Sequence, residues 1–240
     1  SGSDPRLGRE QRTFWEKRGA KLYDSQLAEH IGGADLVVYS AAVPLSNPER
    51  RAAQEAGVGM SRGDCLAHFA NAHKGSIAIC GTHGKGTTAA AILAVLEAAK
   101  WPTSAILGAT TLGANGPSFY AADAQWLVSE VDESDRTHLA HRPKALLINN
   151  VEVDHLNTYR GLDDIGESFG LLGRSSLKEG AEVILHYAGV GAPKLYESLS
   201  DLPAISWLAP KGAINNARYT YEILSVNTDG CHIIELSAPA

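Results

Sequence analysis

The sequence has few of the residues that build cross-linked or membrane-embedded proteins. Its 240 residues include only three cysteines, Cys65, Cys80 and Cys231, with no CxxC spacing. This pattern favours neither a disulfide framework nor a zinc site and indicates a reducing compartment. The longest apolar stretches, such as residues 89–99, are too short for a bilayer core of about 30 Å, and no signal-peptide pattern opens the chain. We therefore expect a soluble, cytoplasmic protein without membrane insertion.

Basic side chains are also in the minority. There are 21 lysines and arginines against 27 aspartates and glutamates, which gives a formal charge of −6. This balance gives no electrostatic reason to expect a nucleic-acid partner, so any anionic ligand must be held by local groups. Apolar residues make up 44% and charged residues 20% of the chain, as in globular proteins with a substantial core. Nothing in the sequence indicates an oligomeric state.

Short apolar runs alternate along the chain with helical stretches. The runs that predict buried strands are residues 36–39, 77–80, 104–107, 126–129, 145–148 and 183–186. The stretches that predict helices are residues 6–18, 48–56, 64–72 and 85–100. This alternation predicts an α/β fold with parallel sheets covered on both faces. Near the end, residues 219–226 and 231–237 flank an Asn-Thr-Asp-Gly turn and predict a β-hairpin.

A glycine-rich turn follows the predicted strand at residues 77–80 and leads into an alanine-rich helix. Gly81 and Gly84 would let main-chain N–H groups curl around phosphate oxygens, Lys85 would add a positive charge, and a threonine hydroxyl could reach Mg²⁺. The turn departs from the general P-loop because only two residues separate the glycines and Gly86 follows the lysine. The alternative is a glycine turn that binds nothing.

Four carboxylates follow the predicted strand at residues 126–129. Glu130, Asp132, Glu133 and Asp135 would lie at the carboxyl end of a parallel strand, where open α/β sheets bind ligands. A strand that ends in an acid beside a phosphate loop is suited to Mg²⁺, so we assign Glu130 as its first ligand. The alternative is a solvated acidic loop, which applies most to Asp132 and Asp135.

A further polar run follows the predicted strand at residues 145–148 and reaches the same sheet edge. Within it, His155 could ligate a second Mg²⁺ or orient a phosphate. Taken alone, a histidine is more often a structural residue whose hydrogen bonds are satisfied. The neighbouring phosphate loop and carboxylates favour the functional interpretation.

These segments together resemble the Mur ligase family. The matching segments are GTHGK at 81–85, EVDESD at 130–135, the run from Asn150 to Tyr159, and SAAV at 40–43 followed by NPE at 47–49. The resemblance implies a partial Rossmann-like N-terminal domain at residues 1–73. It implies next a P-loop ATPase-type parallel-sheet domain at residues 74–240 with a β-hairpin tail. The family's first βα unit and its C-terminal amino-acid-binding domain are missing, so we expect these 240 residues to be inactive alone.

The GTHGK sequence of the loop resembles that of the Mur ligase branch that joins L-alanine to UDP-N-acetylmuramate in peptidoglycan precursor synthesis. The resemblance implies ATP and Mg²⁺ as cofactors, an acyl-phosphate intermediate, and Lys85, Glu130 and His155 as catalytic residues. Metal ligands would be Thr87, Glu130 and His155. Implied ATP contacts are Gly81, Thr82, His83, Gly84, Lys85, Gly86, Thr87 and Thr88. Implied substrate contacts are Ser3, Asp4, Ser40, Ala41, Arg62, Glu133 and Asp135.

Two alternatives remain open. A sister activity, which ligates a recycled murein tripeptide to UDP-N-acetylmuramate, shares the GTHGK loop. A protein of another class, a non-catalytic module that binds a nucleotide or a UDP-sugar, would fit Gly86 and the missing segments. The joint presence of Lys85, Glu130 and His155 favours the ligase.

Overall fold

The computed structural model describes residues 1–108, 118–119, 121, 123–228 and 232–239. The chain divides into two compact units, Ser1–Cys65 and Leu66–Ala240. This division falls inside the helix Arg62–Asn71, whereas the boundary predicted between residues 73 and 74 follows that helix and stays a prediction.

The first unit contains short strands and helices in alternation. Its elements are β1 (Gly2–Ser3), α1 (Arg9–Glu16), β2 (Leu22–Tyr23), a 3₁₀ helix (Ala28–Ile31), β3 (Val37–Tyr39), α2 (Pro48–Glu55), β4 (Gly59–Ser61) and the start of α3 (Arg62–Asn71). The strands form two parallel pairs, β1 with β2 and β3 with β4. Helix α2 begins where Asn47 caps it, because the Asn47 side chain accepts the main-chain N–H of Arg50 at 3.0 Å.

In the residues that the structure describes, the second unit is built on a sheet of nine strands. Its elements after α3 are β5 (Gly75–Cys80), α4 (Lys85–Ala98), β6 (Thr103–Ile106), β7 (Ser118–Phe119), β8 (Trp126–Glu130), a 3₁₀ helix (Thr137–Ala140), β9 (Ala145–Ile148), α5 (Leu162–Lys178), β10 (Glu182–His186), α6 (Ala192–Leu199), β11 (Ile205–Pro210), β12 (Tyr219–Val226) and β13 (His232–Ser237). The strand order is β13-β12-β11-β10-β9-β5-β8-β6-β7. All neighbouring pairs are parallel except the two at the edges, β12 with β13 and β6 with β7.

Alternate residues of the central strand β5 serve two different cores. Ala78 and Cys80 belong to the larger core, which contains Phe169 of α5 and Leu195 of α6. Ile79 belongs to a second core with residues of α4. Because successive side chains of a strand point to opposite faces, α4 covers one face of the sheet, and α5 and α6 cover the other. Burial on both faces explains why these strands are continuous apolar runs.

The predicted fold class, an α/β protein with a large parallel sheet, is confirmed. All six predicted strands exist with ends shifted by at most two residues, and all four predicted helices exist. The helix predicted at residues 6–18 is shorter, Arg9–Glu16, because Gly8 precedes it and the chain turns at Gly19 with φ of 83°. The predicted hairpin forms between β12 and β13, while its Asp-Gly turn and Cys231 lie outside the described residues. No helix in the described ranges is long and apolar enough to cross a membrane.

Candidate functional site

The polar segments after β5, β8 and β9 meet at one edge of the sheet. Strand β5 lies between β8 and β9 and is parallel to both. In register, Ile79 of β5 lies opposite Glu130 of β8, and Cys80 lies opposite Ile148 of β9. The carboxyl ends of the three strands therefore bring together the phosphate loop (residues 81–84), the acidic segment (130–135) and the histidine segment (149–159), as the sequence predicted.

The loop after β5 needs glycine at two positions. Gly81 has φ of 120°, and a Cβ there would lie 3.0 Å from the main-chain nitrogens of Asn149 and Asn150. Gly84 has φ of 76° and is the N-cap of α4. Both φ values lie in the region that residues other than glycine rarely adopt. The loop therefore packs tightly against the segment after β9 and directs the N-terminus of α4 toward the sheet edge.

Lys85 forms an ion pair with Glu133 directly beside the loop. Its ammonium group donates hydrogen bonds to the main-chain oxygens of Gly81 at 2.8 Å and Thr82 at 3.2 Å, and to Glu133 Oε1 at 3.0 Å. The Lys85 side chain is 13% exposed, whereas that of Glu133 is completely buried. Burial raises the pKa of Glu133, and the charge and hydrogen bond of Lys85 oppose that rise. The other carboxylate oxygen, Oε2, is buried and has no hydrogen-bond partner among the described residues.

His155 reaches the same carboxylate from the segment after β9. Its Nε2 lies 3.6 Å from Glu133 Oε1 and 3.8 Å from Asp154 Oδ2, and its backbone is left-handed with φ of 49°. Tyr159 donates its hydroxyl to the main-chain oxygen of Glu133 at 2.7 Å. Burial raises the pKa of Tyr159 to about 12, so the hydroxyl stays protonated as a donor. The structure thus brings Lys85 and His155 together on Glu133.

Glu130 lies at the end of β8 and faces the other neighbour, β6. Its Oε2 accepts the main-chain N–H of Gly108 at 2.7 Å. Thr87 lies in the first turn of α4 and is exposed. No cluster of three or more His, Cys, Asp or Glu side chains is placed to hold a metal within the described ranges.

These donors fit Mg²⁺ in one respect. Mg²⁺ in phosphate sites usually takes one or two carboxylates, substrate phosphates and several waters, and does not need a closed cage of protein ligands. The buried, unpartnered Oε2 of Glu133 shows that this edge also has unused acceptor capacity. The assignment of Thr87, Glu130 and His155 as metal ligands stays a prediction.

The other acidic residues after β8 mainly organise their own loop. The main-chain N–H of Ser134 binds Asp132 Oδ1 at 2.9 Å, and that of Thr137 binds Asp135 Oδ1 at 3.0 Å. Burial tends to raise the pKa of Asp132, but the hydrogen bonds of Ser134 and the charges of Lys85 and His155 lower it overall. The predicted substrate contacts Glu133 and Asp135 therefore have partners within the protein, and their substrate role stays a prediction.

Two asparagines that the sequence did not single out hold the loop. The Asn150 side chain accepts the main-chain N–H of His83 at 2.8 Å and donates to the oxygen of His83 at 3.0 Å. The Asn149 side chain donates to Thr88 Oγ1 at 3.0 Å and to the His83 oxygen at 3.3 Å. The available signal was their position, since two amides come directly after a strand that ends beside the phosphate loop.

In the first unit, a cavity of about 680 Å³ lies among residues from the ends of β1, β2 and β3. Of the predicted substrate contacts, Ser3, Asp4 and Ser40 line it, whereas Ala41 and Arg62 are not among its lining residues. The Ser3 hydroxyl donates to the Glu49 carboxylate, which also contacts His30 Nδ1 at 3.0 Å. The first unit thus has a cavity beside β1, β2 and β3 that both polar and apolar residues line.

Comparison with known proteins gives consistent matches. A family model described as the Mur ligase middle domain matches residues 79–200. A UDP-N-acetylmuramate--L-alanine ligase of Clostridium beijerinckii is 32% identical over 214 residues, which cover 89% of this chain and 45% of that protein. The protein of the same name from Symbiobacterium thermophilum is 42% identical over 135 residues, covering 56% of this chain and 27% of that protein. The chain thus spans less than half the length of these relatives.

Solved structures show the same fold. The UDP-N-acetylmuramate:L-alanyl-gamma-D-glutamyl-meso-diaminopimelate ligase from Neisseria meningitides matches with a TM-score of 0.78 and 21% identity, covering 98% of this chain and 75% of that chain. The UDP-N-acetylmuramate-alanine ligase MurC from Thermotoga maritima matches with a TM-score of 0.65 and 22% identity, covering 89% and 46%. Since the family model matches more than half of the chain, and the loop and strand ends it includes form the site described above, the chain belongs to the Mur ligase family.

Proposed function

We propose that the chain is the ATP-binding part of a ligase that joins L-alanine to UDP-N-acetylmuramate in peptidoglycan precursor synthesis. The observation that carries this proposal is Lys85, which stands at the N-terminus of α4 beside a glycine loop and contacts Glu133 at 3.0 Å, with His155 on the same carboxylate. A helix N-terminus with a lysine binds phosphate groups through N–H donors and positive charge. Relatives 32% and 42% identical to the chain carry the name of this ligase.

In the proposed reaction, the γ-phosphoryl group of ATP passes to the lactyl carboxylate of the nucleotide-sugar, giving an acyl phosphate and ADP. The amine of L-alanine then attacks the acyl carbon and loses a proton, and inorganic phosphate leaves. Lys85 and the N–H groups of the first turn of α4 bind the phosphates and stabilise their negative charge. Thr87 and Glu130 would hold Mg²⁺, which draws negative charge from the phosphate oxygens, and His155 would hold a second ion.

We assign the nucleotide-sugar to the cavity of the first unit. Ser3, Asp4 and Ser40 line this cavity at the carboxyl ends of parallel strands, where open α/β sheets bind nucleotides. Ala41 and Arg62 remain proposed contacts on the basis of the family resemblance alone.

The sister activity, with a murein tripeptide in place of L-alanine, has one observation in its favour. The Neisseria structure of that type has the higher TM-score of the two structures described above, 0.78 against 0.65. At 21% identity, however, this likeness concerns the fold, whereas the relatives above 30% identity are named for L-alanine. In a polypeptide extended to the length of its relatives, ADP formation with UDP-N-acetylmuramate and either L-alanine or the tripeptide separates the two activities. ATP binding without ADP formation with either acceptor would favour the non-catalytic module.

The first experiment is isothermal titration of ATP into this chain, with and without Mg²⁺. We expect saturable, Mg²⁺-dependent binding that Lys85→Ala abolishes and that Lys178→Ala, an exposed lysine at the end of α5, leaves unchanged. Circular dichroism establishes that each variant is folded. The proposal is wrong if folded wild-type protein binds no ATP, or if Lys85→Ala binds it as tightly as the wild type.

A further inference from the structure

The side-chain amide of Asn150 pairs with the main chain of the phosphate loop in the way a neighbouring strand would. It accepts the His83 N–H at 2.8 Å and donates to the His83 oxygen at 3.0 Å, so it satisfies both main-chain groups of one residue. The main-chain oxygen of Asn150 also accepts the N–H of Thr82 at 3.3 Å. The Thr82 hydroxyl in turn accepts the N–H of Glu152 at 2.9 Å. The first half of the loop is thereby attached to the segment that follows β9.

This attachment decides which N–H groups can bind an anion. The N–H groups of Thr82 and His83 are used within the protein. In the first turn of α4, the N–H groups of residues 84–87 have no hydrogen-bond partner among the described residues, as is normal at a helix N-terminus. In the first turn of α4, the available donors are those of residues 84–87, next to the Lys85 ammonium group. We call these N–H groups and the Lys85 ammonium group the cradle. Residues 81–83, which precede it, hold the cradle in place and are its support.

The support itself is anchored in the sheet. The main-chain oxygen of Asn149 accepts His186 Nδ1–H at 2.9 Å, and His186 Nε2 lies 3.1 Å from the Tyr221 hydroxyl. Since Nδ1 faces a carbonyl oxygen, it carries the proton of the neutral ring, and Nε2 accepts from Tyr221. Burial lowers the pKa of His186, which favours this neutral ring. The segment after β9 is thus linked through Asn149 to the end of β10 and, through His186, to the first half of β12.

We propose that Asn150 is a positioning residue that holds the phosphate loop, so that the N–H groups of residues 84–87 and Lys85 face the phosphates of the nucleotide. This inference rests on the proposed function for the identity of the ligand. It requires no contact between Asn150 and the nucleotide. Asn149 assists through its hydrogen bonds to Thr88 and to the His83 oxygen.

The test uses three variants and two measurements. Asn150→Ala removes both hydrogen bonds to His83. Asn150→Asp keeps an acceptor for the His83 N–H but has no donor for the His83 oxygen. Asn216→Ala removes an exposed asparagine that accepts the Tyr196 hydroxyl and is the matched control. The rate of amide hydrogen exchange of His83, measured by NMR on nucleotide-free protein, shows whether the loop is attached to Asn150. Titration with Mg²⁺-ATP and with inorganic tripolyphosphate gives the affinity of the cradle for phosphate groups.

We expect Asn150→Ala to speed exchange at His83 at least tenfold and to weaken ATP and tripolyphosphate by a similar factor of about 10, as the loss of two hydrogen bonds predicts. Asn150→Asp should keep His83 protected, and Asn216→Ala should change neither quantity. A merely structural role would lower the urea midpoint of unfolding without changing either dissociation constant of the folded protein.

Two results with Asn150→Ala would overturn the inference. One is unchanged exchange at His83 in Asn150→Ala, which would show that the amide does not hold the loop. The other is wild-type affinity for both ligands when His83 exchange is fast, which would show that the attachment does not position the cradle. If the wild type binds tripolyphosphate but no ATP, the proposed function fails and the positioning role is still decided by tripolyphosphate. If the wild type binds neither, both fail.

Discussion

The buried ion pair between Lys85 and Glu133 at the start of α4 leads to a prediction about stability. We expect the loss of Lys85 to destabilise the protein more than the loss of the Glu133 charge. Lys85 Nζ and Glu133 Oε1 are 3.0 Å apart. At an effective dielectric constant of about 20, this separation corresponds to an attraction of roughly 5 kcal/mol, most of which offsets the cost of removing the charges from water. Removing one partner of such a pair typically costs about 3 to 5 kcal/mol, since the other charge stays buried.

The two partners do not depend on the pair equally. Glu133 is completely buried, and its second oxygen has no partner among the described residues, so without Lys85 it keeps little besides the more distant His155. Lys85 is partly exposed and keeps the oxygens of Gly81 and Thr82. We therefore expect Lys85→Met to lower the free energy of unfolding by about 3 kcal/mol and Glu133→Gln by about 1 kcal/mol. The double variant should lose less than the sum of the two.

Urea unfolding at pH 7.5, followed by circular dichroism, measures these differences, with Lys178→Met as the matched surface control. The midpoints of unfolding should change while the slopes with urea concentration stay equal. The reasoning is refuted if Glu133→Gln is the more destabilised variant, or if the single losses add without coupling in the double variant. Nucleotide-free protein is used throughout, so the outcome does not depend on the proposed function.

Three further changes test other parts of the second unit. Burial lowers the pKa of His138 to about 4, so the folded state resists a proton that the unfolded chain accepts below about pH 6.5. Stability should therefore fall by up to roughly 3 kcal/mol as the pH drops from 6.5 toward 4. The urea midpoint of His138→Leu should fall less steeply with pH than that of the wild type, and an equally steep fall would contradict the burial argument. The hydrogen bond from Arg136 lowers the pKa of Asp164 to about 2, so this carboxylate stabilises the fold above about pH 4 and the contribution is lost toward pH 2. The melting temperature of Asp164→Asn should therefore fall less between pH 6 and pH 3 than that of the wild type. Equal falls would rule the pair out as a source of acid sensitivity. Gly81→Ala places a Cβ 3.0 Å from main-chain atoms of Asn149 and Asn150 at a φ of 120°, so we expect about 1 to 3 kcal/mol of destabilisation in urea. The loss should exceed that of Gly212→Ala, where φ is 81° and a Cβ would meet open space, and equal losses would contradict a cost of the close approach.

The sequence predicted the elements whose signals are local. Strand β5, the glycine loop and α4 follow one another within 24 residues, and each carries its own periodicity or glycine pattern. Helix α5 was not predicted because Gly166, Gly170 and Gly173 lower its helix propensity, although Gly170 and Gly173 are buried where α5 packs on α6. Strand β11 was not predicted either, and it ends at Pro210, a residue that argues against strand structure when read alone. In these elements tertiary packing outweighs local preference.

The site shows the same division between local and long-range information. The residues predicted at its edge follow directly from strand ends, and the structure brings the loop, the carboxylates and His155 to that edge. The contacts that hold it cannot be read from spacing, since Lys85 and Glu133 are 48 positions apart and His83 and Asn150 are 67 apart. Only the order β9-β5-β8 makes these pairs neighbours, and a sequence pattern does not contain that order. A sequence can therefore indicate which side chains carry the chemistry of such a site, whereas the side chains that hold them in place become visible only once the strands are arranged.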